Sequence, residues 1–453
     1  MSTAPPDPPT STATRAPAPG PETTGQAAAS TPENFYDVIE SRGLLAQCTD
    51  TPDAMRRRLQ SPVTAYCGFD PTADSLHIGS LVPIMGLAHL QRAGHRPLVL
   101  VGGATGLVGD PTGKTQARQM LDAPQIRHNA QSIADQIGRF LSFGDPDHPR
   151  PTDAQLVNNL DWIAPLTWLE VLRDIGSKVS VNRMMSMESV KQRMTGEGEG
   201  ISYLEFSYML LQAYDFAHLR RTHGCTLQLG GQDQWGNIVM GIELGRKLSE
   251  TQDAGLAGLT FPLVTKSDGS KFGKSEGGNV WLDAARTSPF DFFQYWRNVA
   301  DADVGRYLGY FTFLPMDEVR RLAGSSGTAI NDAKVRLAYE VTSLVHGRAE
   351  ADAARDAAAR AFSAAGVDAT ADAIPHRALP RDTLLTTPIL QLLQTAGFTK
   401  SNGEGRKLIA NGGVRVGDHK LAPDQTHLAD HQLDAGHVLL RAGKKRLFRF
   451  DVD

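Results

Sequence analysis

The chain has 453 residues, 41% of them hydrophobic and 21% charged, with a formal net charge of −4, the range of soluble globular proteins and long enough for two or three domains. No apolar run reaches the roughly 18 residues that span a bilayer, which excludes a transmembrane helix and sets the expectation of no membrane partner. The acidity excludes a uniformly basic nucleic-acid protein, and three distant cysteines (Cys48, Cys67 and Cys225) without CxxC or His/Cys ligand spacing support neither a disulfide framework nor a metal site and fit a reducing cytoplasm.

Residues 1–33 form an arm made almost wholly of Pro, Ala, Thr, Ser and Gly. Such a segment buries too little apolar surface to offset ordering entropy and is expected to be disordered. Thr31-Pro32 reads as an N-cap and first helical residue of a helix through Glu40. A β-rich run follows at Pro62–Phe69, then helical spacing over Ser80–Ala93 and a buried strand at Pro97–Val101 that ends in Gly102-Gly103. Further strands are expected at Gln155–Asn158, Thr226–Leu229 and Leu259–Val264, with helices at Tyr203–Leu219 and Trp235–Leu248. Apolar strands alternating with helices predict an α/β domain over 34–287, an open Rossmann-like parallel sheet with an insertion at about 145–205. In such sheets ligands bind at the carboxyl ends of strands where the strand order reverses.

From Pro289 to Phe362 the pattern is helical, with Gly347 the interior breaker of the Ala/Arg/Leu-rich stretch after Lys334. This defines a helical domain over 288–365 and a linker over 366–384, which holds Pro375 and Pro380 and lacks periodicity. A small α+β unit over 385–453 closes the chain, with helices at Pro388–Ala396 and Gly403–Ala410, a Gly412-Gly413 turn and β-rich runs to Asp453. From Leu385 onward the chain carries +3 while the remainder carries −7, so a locally basic end sits on an acidic body.

Five motifs carry chemistry. In Tyr66–Ser80 a strand turns into a helix near His77; amides and dipole at a helix start favour phosphate, His77 and Thr72 can donate to it, and Gly79 lets a flat base approach. A lone H-x-G would be an ordinary helix start; the long surrounding string is what lifts it above that. Gly102–Thr115 fails the Walker spacing, because Val108 stands where the first Gly belongs. Its Asp110 can bind an ammonium while Lys114 and Arg118 can reach phosphates, and a plain flexible connection competes evenly with that reading. Tyr208, Gln212 and Asp215 fall at i, i+4 and i+7, one polar stripe on an otherwise apolar helix. Gln228–Asn237 is a strand, a Gly turn and a helix, in which Asp233 serves either ribose hydroxyls or an N-cap. Lys271-Phe272-Gly273-Lys274-Ser275 lies in a polar, Gly-rich loop over 266–278, suited to steadying a transferring phosphate, although a solvated loop explains such a pentapeptide standing alone.

In this order the motifs resemble those of the bacterial tyrosyl-tRNA synthetases of class I. His77-Ile78-Gly79-Ser80 is similar to the HIGH signature and Lys271–Ser275 to KMSKS, from about Phe35 to the C-terminus. The resemblance implies ATP and L-tyrosine as substrates, Mg²⁺ as a cofactor, and tRNA(Tyr) and a second copy of the chain as partners. It implies that Tyr66 and Asp215 bind the phenol, that Asp110, Tyr208 and Gln212 hold the ammonium, and that Asn159 and Gln228 line the same pocket, with Gln234 near the carboxylate. Cys67, Gly68, Asp70, Gly79, Gly231 and Asp233 would serve the nucleotide. Thr72, His77, Lys114, Arg118, Lys271, Lys274 and Ser275 would surround the phosphates. The terminal unit resembles a small RNA-binding fold, in which Arg406, Lys407, Arg415, Lys420, Lys444, Lys445 and Arg446 would meet tRNA phosphates. Ser80 departs from the second His of HIGH, and Gln232 from the commoner Ser of G-S-D-Q. A tryptophanyl-type enzyme, a cofactor nucleotidyltransferase and a non-enzymatic RNA-binding or splicing protein are the competing classes. The first lacks reason for a phenol dyad, the second for the lysine loop and RNA-binding end, and the third for keeping His77, Lys271 and Lys274.

Overall fold

The computed structural model describes residues 32–110, 122–195, 200–249, 255–361 and 374–453, apart from 268, 270, 271, 276, 277, 418, 434, 435, 444 and 445. The chain divides into two compact units, Met1–Val264 and Thr265–Asp453. The arm read as disordered lies outside the described residues up to Thr31.

The first unit is built on six strands: β1 (Gln47–Cys48), β2 (Thr64–Phe69), β3 (Arg96–Val101), β4 (Gln155–Asn158), β5 (Cys225–Gly231) and β6 (Ala257–Phe261), in the order β1-β6-β5-β2-β3-β4. β2 to β6 run parallel, whereas the two-residue β1 pairs antiparallel with β6 at the edge, a strand the sequence pattern did not reveal. The chain moves outward from β2 through β3 to β4 and returns to β5 on the other side of β2. The order therefore reverses at β2, and the carboxyl ends of β2 and β5 open on a crevice suited to a ligand.

The helix Leu81–Arg92 is buried from Leu81 through Leu90 except at Pro83, which lines the cleft, as a helix that is apolar all round must be. A Cβ on its Gly86 would overlap the Phe261 ring, so glycine permits that close approach to β6. The helix Tyr203–His223 starts from a capping box between Ser202 and Glu205 and ends at Gly224, whose φ of 64° is left-handed. Together with Trp235–Leu248 it covers the sheet, and Phe216, Leu219, Ile238 and Ile242 meet Tyr66, Leu98 and Leu100 in one core.

Several expected boundaries move, among them the end of the helix read as Tyr203–Leu219, which runs on to His223. The first helix begins at Phe35, not at Pro32: Asn34 is the cap, its side-chain oxygen accepting from the Tyr36 amide, while Thr31, read as the cap, lies outside the described residues. β6 ends at Phe261 rather than Val264, since Pro262 has no N–H to continue the ladder.

In the second unit five helices (Pro289–Arg297, Asp301–Phe311, Met316–Ala323, Ala329–His346 and Arg348–Ala361) fill the segment read as helical, with the break at Gly347, φ 91°. Lys274–Ser275 pairs with Gly278–Asn279 in a short hairpin. The Phe272 ring just before it stacks on Phe311 at 5.5 Å and meets Tyr307 at 5.1 Å, and the Gly273 amide donates to the Tyr295 hydroxyl at 3.3 Å. The terminal sheet has five strands, and its outermost member, His376–Leu379, pairs parallel with Arg446–Val452. Of the expected 366–384 linker, 366–373 lies outside the described residues, but the remainder is this strand and the helix Arg381–Thr386. Among the described residues no helix is long and apolar enough to cross a membrane.

Candidate active site

The crevice at the reversal point is a cleft of about 230 Å³, more than ten times the space one water needs. β2 supplies Tyr66, Cys67 and Gly68, with Asp70 and Thr72 just beyond its end. β5 supplies Leu229, Gly230 and Gly231, and the Tyr203–His223 helix supplies Tyr208, Gln212 and Asp215. The stripe read from the 3.6-residue period thus faces the cleft.

One end of the cleft is closed by a buried polar set. Asp215 is 1% exposed and holds two donors: Asn159 Nδ2 to Oδ2 at 3.0 Å and Trp162 Nε1 to Oδ1 at 2.8 Å. Burial pushes the Asp215 carboxyl up to about 7, and these two hydrogen bonds oppose the rise. Each oxygen still has a lone pair to offer. Tyr66 is also 1% exposed, and its hydroxyl has no hydrogen-bond partner among the described residues. Burial, and next the charge of Asp215, raise its phenol well above the ordinary range, so it is a neutral donor. An unpaired buried hydroxyl costs about 1–3 kcal/mol; one beside a buried carboxylate in a cleft suits a ligand that supplies the missing partner.

Asn159 itself is fully buried behind Asp215. Its Oδ1 accepts from the Ala104 amide at 2.8 Å and its Nδ2 also donates to Thr105 Oγ1 at 3.1 Å. Thr105 donates to Asp70 Oδ1 at 2.8 Å, and the Tyr208 hydroxyl donates to Asp70 Oδ2 at 2.8 Å. The ends of β2, β3 and β4 are thereby tied to the helix through one chain of hydrogen bonds. Gly102 belongs to this arrangement, because a Cβ there would overlap the Asp70 carboxylate and the Thr105 hydroxyl.

The opposite wall is a second network. Gln234 Nε2 donates to Asp110 Oδ2 at 2.8 Å, and Asn237 Nδ2 donates to Gln212 Oε1 at 2.9 Å and to Gln234 Oε1 at 3.1 Å. Gln228, 2% exposed and paired with Tyr66 across the sheet, lies deeper in the same region; its Oε1 has no partner among the described residues. Trp162, Thr105 and Asn237 were given no role from sequence. The only signals were that Trp162 closes the Asn158–Trp162 string and that Asn237 stands one turn after Gln234.

Burial pushes the Cys67 thiol, which lines the cleft, up to about 12, so it is no nucleophile. His77 is exposed and caps the turn Ile78–Ser80, its Nδ1 accepting from the Gly79 amide at 3.0 Å. A Cβ on Gly79 would come within 2.7 Å of that imidazole. Asp233 is exposed in the turn between β5 and the helix from Trp235. Lys114, Arg118 and Lys271 lie outside the described residues, and only the backbone of Lys274 and Ser275 is described. Among the described residues no cluster of three or more His, Cys, Asp or Glu could hold a metal ion.

In the terminal unit Arg406, Lys407, Arg415 and Lys420 are exposed, the last two facing each other across paired strands. Arg446 is placed differently: its guanidinium donates to the Phe398 carbonyl at 2.8 Å and lies over the Phe398 ring. Lys444 and Lys445 lie outside the described residues.

Comparison with known proteins bears on this geometry. The family model described as "tRNA synthetases class I (W and Y)" matches residues 58–363. A tyrosine–tRNA ligase from Desulfosudis oleivorans is 45% identical over 439 residues, covering 91% of this chain and 98% of its own length. One from Clostridium kluyveri is 44% identical over 419 residues, covering 92% and 99%. Among solved structures, a C-terminally truncated mitochondrial tyrosyl-tRNA synthetase of Aspergillus nidulans superposes with a TM-score of 0.64 at 32% identity, covering 73% of this chain and 94% of that one.

Proposed function

The chain belongs to the bacterial-type tyrosyl-tRNA synthetases of class I, and from that premise we propose that its cleft activates L-tyrosine with ATP and passes the tyrosyl group to the terminal adenosine of tRNA(Tyr). The observation that carries the reading is the Tyr66–Asp215 end of the cleft. A substrate phenol donates to Asp215 and accepts from the Tyr66 hydroxyl, which has no partner of its own among the described residues. Phenylalanine leaves both groups buried and unpaired, a penalty of several kcal/mol. An indole offers a donor but no acceptor for Tyr66, which disfavours the tryptophanyl alternative.

At the other end the ammonium is held by Asp110, Gln212 and Tyr208. Because the Tyr208 hydroxyl donates to Asp70, its oxygen is turned to accept from an ammonium. Gln234, fixed on Asp110, lies where the carboxylate enters. That carboxylate is already a nucleophile at neutral pH. It attacks the α-phosphorus in line, the bond to the bridging oxygen breaks and pyrophosphate leaves, so no general base is needed. Cys67, Gly68, Asp70, Gly79, Gly231 and Asp233 accommodate the nucleoside, while Thr72, His77, Lys114, Arg118, Lys271, Lys274 and Ser275 neutralise charge building on the phosphates. Mg²⁺ bound to ATP would supply further positive charge to the phosphates, beside these side chains. In the second step a hydroxyl of the terminal adenosine attacks the acyl-adenylate and AMP leaves.

Arg406, Lys407, Arg415 and Lys420 contact tRNA phosphates, and the reaction belongs to the cytoplasm. The chain acts as a homodimer. Trp168, Leu169, Val181, Met185 and Tyr203 in the insertion are 42–75% exposed, an apolar surface a second copy would cover.

Amino-acid-dependent ATP–pyrophosphate exchange tests the reading with tyrosine, tryptophan and phenylalanine in turn. Exchange with tyrosine alone is expected; none with tyrosine, or equal exchange with phenylalanine, overturns it.

A further inference from the structure

A buried ion pair lies outside the cleft, and no step above uses it. Arg193, on the helix Glu188–Thr195 of the insertion, is 6% exposed; Glu205, in the first turn of the helix that carries Tyr208, Gln212 and Asp215, is 7% exposed. Arg193 Nη1 and Nη2 donate to the two oxygens of Glu205 at 2.9 and 3.2 Å, and Nε and Nη2 donate to the Gly200 carbonyl at 2.9 and 2.6 Å. Glu205 also accepts from the Ser202 amide at 3.0 Å and the Ser202 hydroxyl at 2.9 Å, completing the capping box. One guanidinium therefore staples the incoming chain at Gly200 to the helix start. A fork of this kind with both partners satisfied is rigid, and removing either leaves a buried charge behind.

We propose that Arg193 and Glu205 are positioning residues for the amino-acid substrate: they fix the first turn of the cleft helix and with it Tyr208 and Gln212. Glu205, Tyr208, Gln212 and Asp215 share one stripe, at i, i+3, i+7 and i+10. Tyr208 is a single turn from the staple, and Gln212 two. Asp215 is about 15 Å along the axis and has its own anchors in Asn159 and Trp162. Loosening the first turn thus disturbs the end of the cleft assigned to the ammonium and spares the end assigned to the phenol. The insertion that carries the exposed apolar surface is in this way connected to substrate affinity.

The inference rests on the tyrosine-activation reading, and wild-type exchange with tyrosine checks that reading separately. The test compares wild type with Arg193→Ala, Arg193→Lys and Glu205→Gln, the last keeping the capping acceptor while removing the charge. Exchange kinetics give KM for tyrosine, KM for ATP and kcat. Inhibition by 3-(4-hydroxyphenyl)propionate, which keeps the phenol and carboxylate but has no ammonium, reports on the other end, and light scattering reports mass. Arg193→Ala is expected to raise KM for tyrosine about tenfold, with KM for ATP, kcat, the inhibition constant and mass within twofold of wild type. Arg193→Lys and Glu205→Gln should fall between. The proposal is overturned if KM for tyrosine does not move in any variant. It is equally overturned if the inhibitor weakens in parallel, which means general loosening, or if the effect appears only with a fall in mass. Should Arg193→Ala not fold, Glu205→Gln decides by the same criteria.

Discussion

Replacing Trp162 by Phe removes the indole N–H and part of the ring system, and the smaller ring can keep part of the stacking on His218, now at 4.6 Å and 10°. What is lost is the 2.8 Å hydrogen bond to Asp215 Oδ1. A hydrogen bond to a charged, buried partner contributes about 1.5–3 kcal/mol, and about 1.4 kcal/mol corresponds to one pKa unit, so the Asp215 carboxyl should rise by about one to two units. It starts at about 7, raised by burial against the pull of Asn159 and Trp162. The sign is that of a carboxyl raised above its unfolded value: between the ordinary carboxylate range and about 7 the folded protein binds the extra proton, and the ionised form that accepts a phenol appears only as pH rises through 7. In wild type, kcat/KM for tyrosine should therefore climb with pH across the neutral range. In Trp162→Phe the same climb should come about one to two units later, leaving activity near pH 7.5 about tenfold lower and recovering toward pH 9. Tyrosine-dependent ATP–pyrophosphate exchange from pH 6 to 9, with ATP saturating, measures both profiles. A variant whose midpoint coincides with wild type would refute the assignment of Asp215 as the ionised phenol acceptor held by Trp162.

Tyr66→Phe should lower kcat/KM for tyrosine about tenfold, the worth of one buried hydrogen bond, and weaken discrimination against phenylalanine. Urea unfolding should show no loss of stability, since the hydroxyl has no partner among the described residues. Gly102→Ala places a Cβ on Asp70 and Thr105, so KM for tyrosine should rise at least about tenfold while far-UV circular dichroism stays unchanged; a normal KM would show that Asp70 does not orient Tyr208. Light scattering should give the mass of two chains, and Leu169→Lys, at a side chain 75% exposed, should halve it. Alanine at Arg406 and Lys407 should raise KM for tRNA several-fold at low salt, the difference from wild type narrowing as salt increases, with exchange in the absence of tRNA untouched; impaired exchange would place those residues elsewhere in the mechanism.

Those parts of the site that obey a local period were open to reading from sequence. Tyr208, Gln212 and Asp215 declare themselves because a 3.6-residue repeat puts three polar groups on one stripe of an apolar helix. The parallel strands are visible as apolar runs, and the reversal at β2 follows once the sheet is open. Trp162, Thr105 and Asn237 escaped for the opposite reason. Trp162 meets Asp215 across 53 residues and Asn159 meets Thr105 across 54, and such pairs leave no periodic trace. The strand His376–Leu379 is hidden in another way: three of its four side chains are exposed, and Leu379 is the one that packs on the core, so no alternation shows. Pro375 and Pro380 at its flanks then imitate a linker.

The distribution of charge around the cleft ties these strands of argument together. Asp70, Asp110 and Asp215 line it, and no Lys or Arg does among the described residues. Such a wall favours an ammonium and repels a triphosphate, so the amino-acid pocket alone would hinder the ATP it needs. All the lysines and the arginine read as phosphate partners (Lys114, Arg118, Lys271 and Lys274) belong instead to other segments of the sequence that are polar and Gly-rich. Recognition can then be built rigidly, from buried donors satisfied at 2.8–3.1 Å. On the proposed reading, charge compensation for the departing pyrophosphate falls to residues other than those that line the amino-acid pocket. A cation fixed inside the cleft would pair with Asp110 or Asp70 and occupy the very carboxylates that an ammonium requires, which is a physical reason for keeping the two functions on separate parts of the chain.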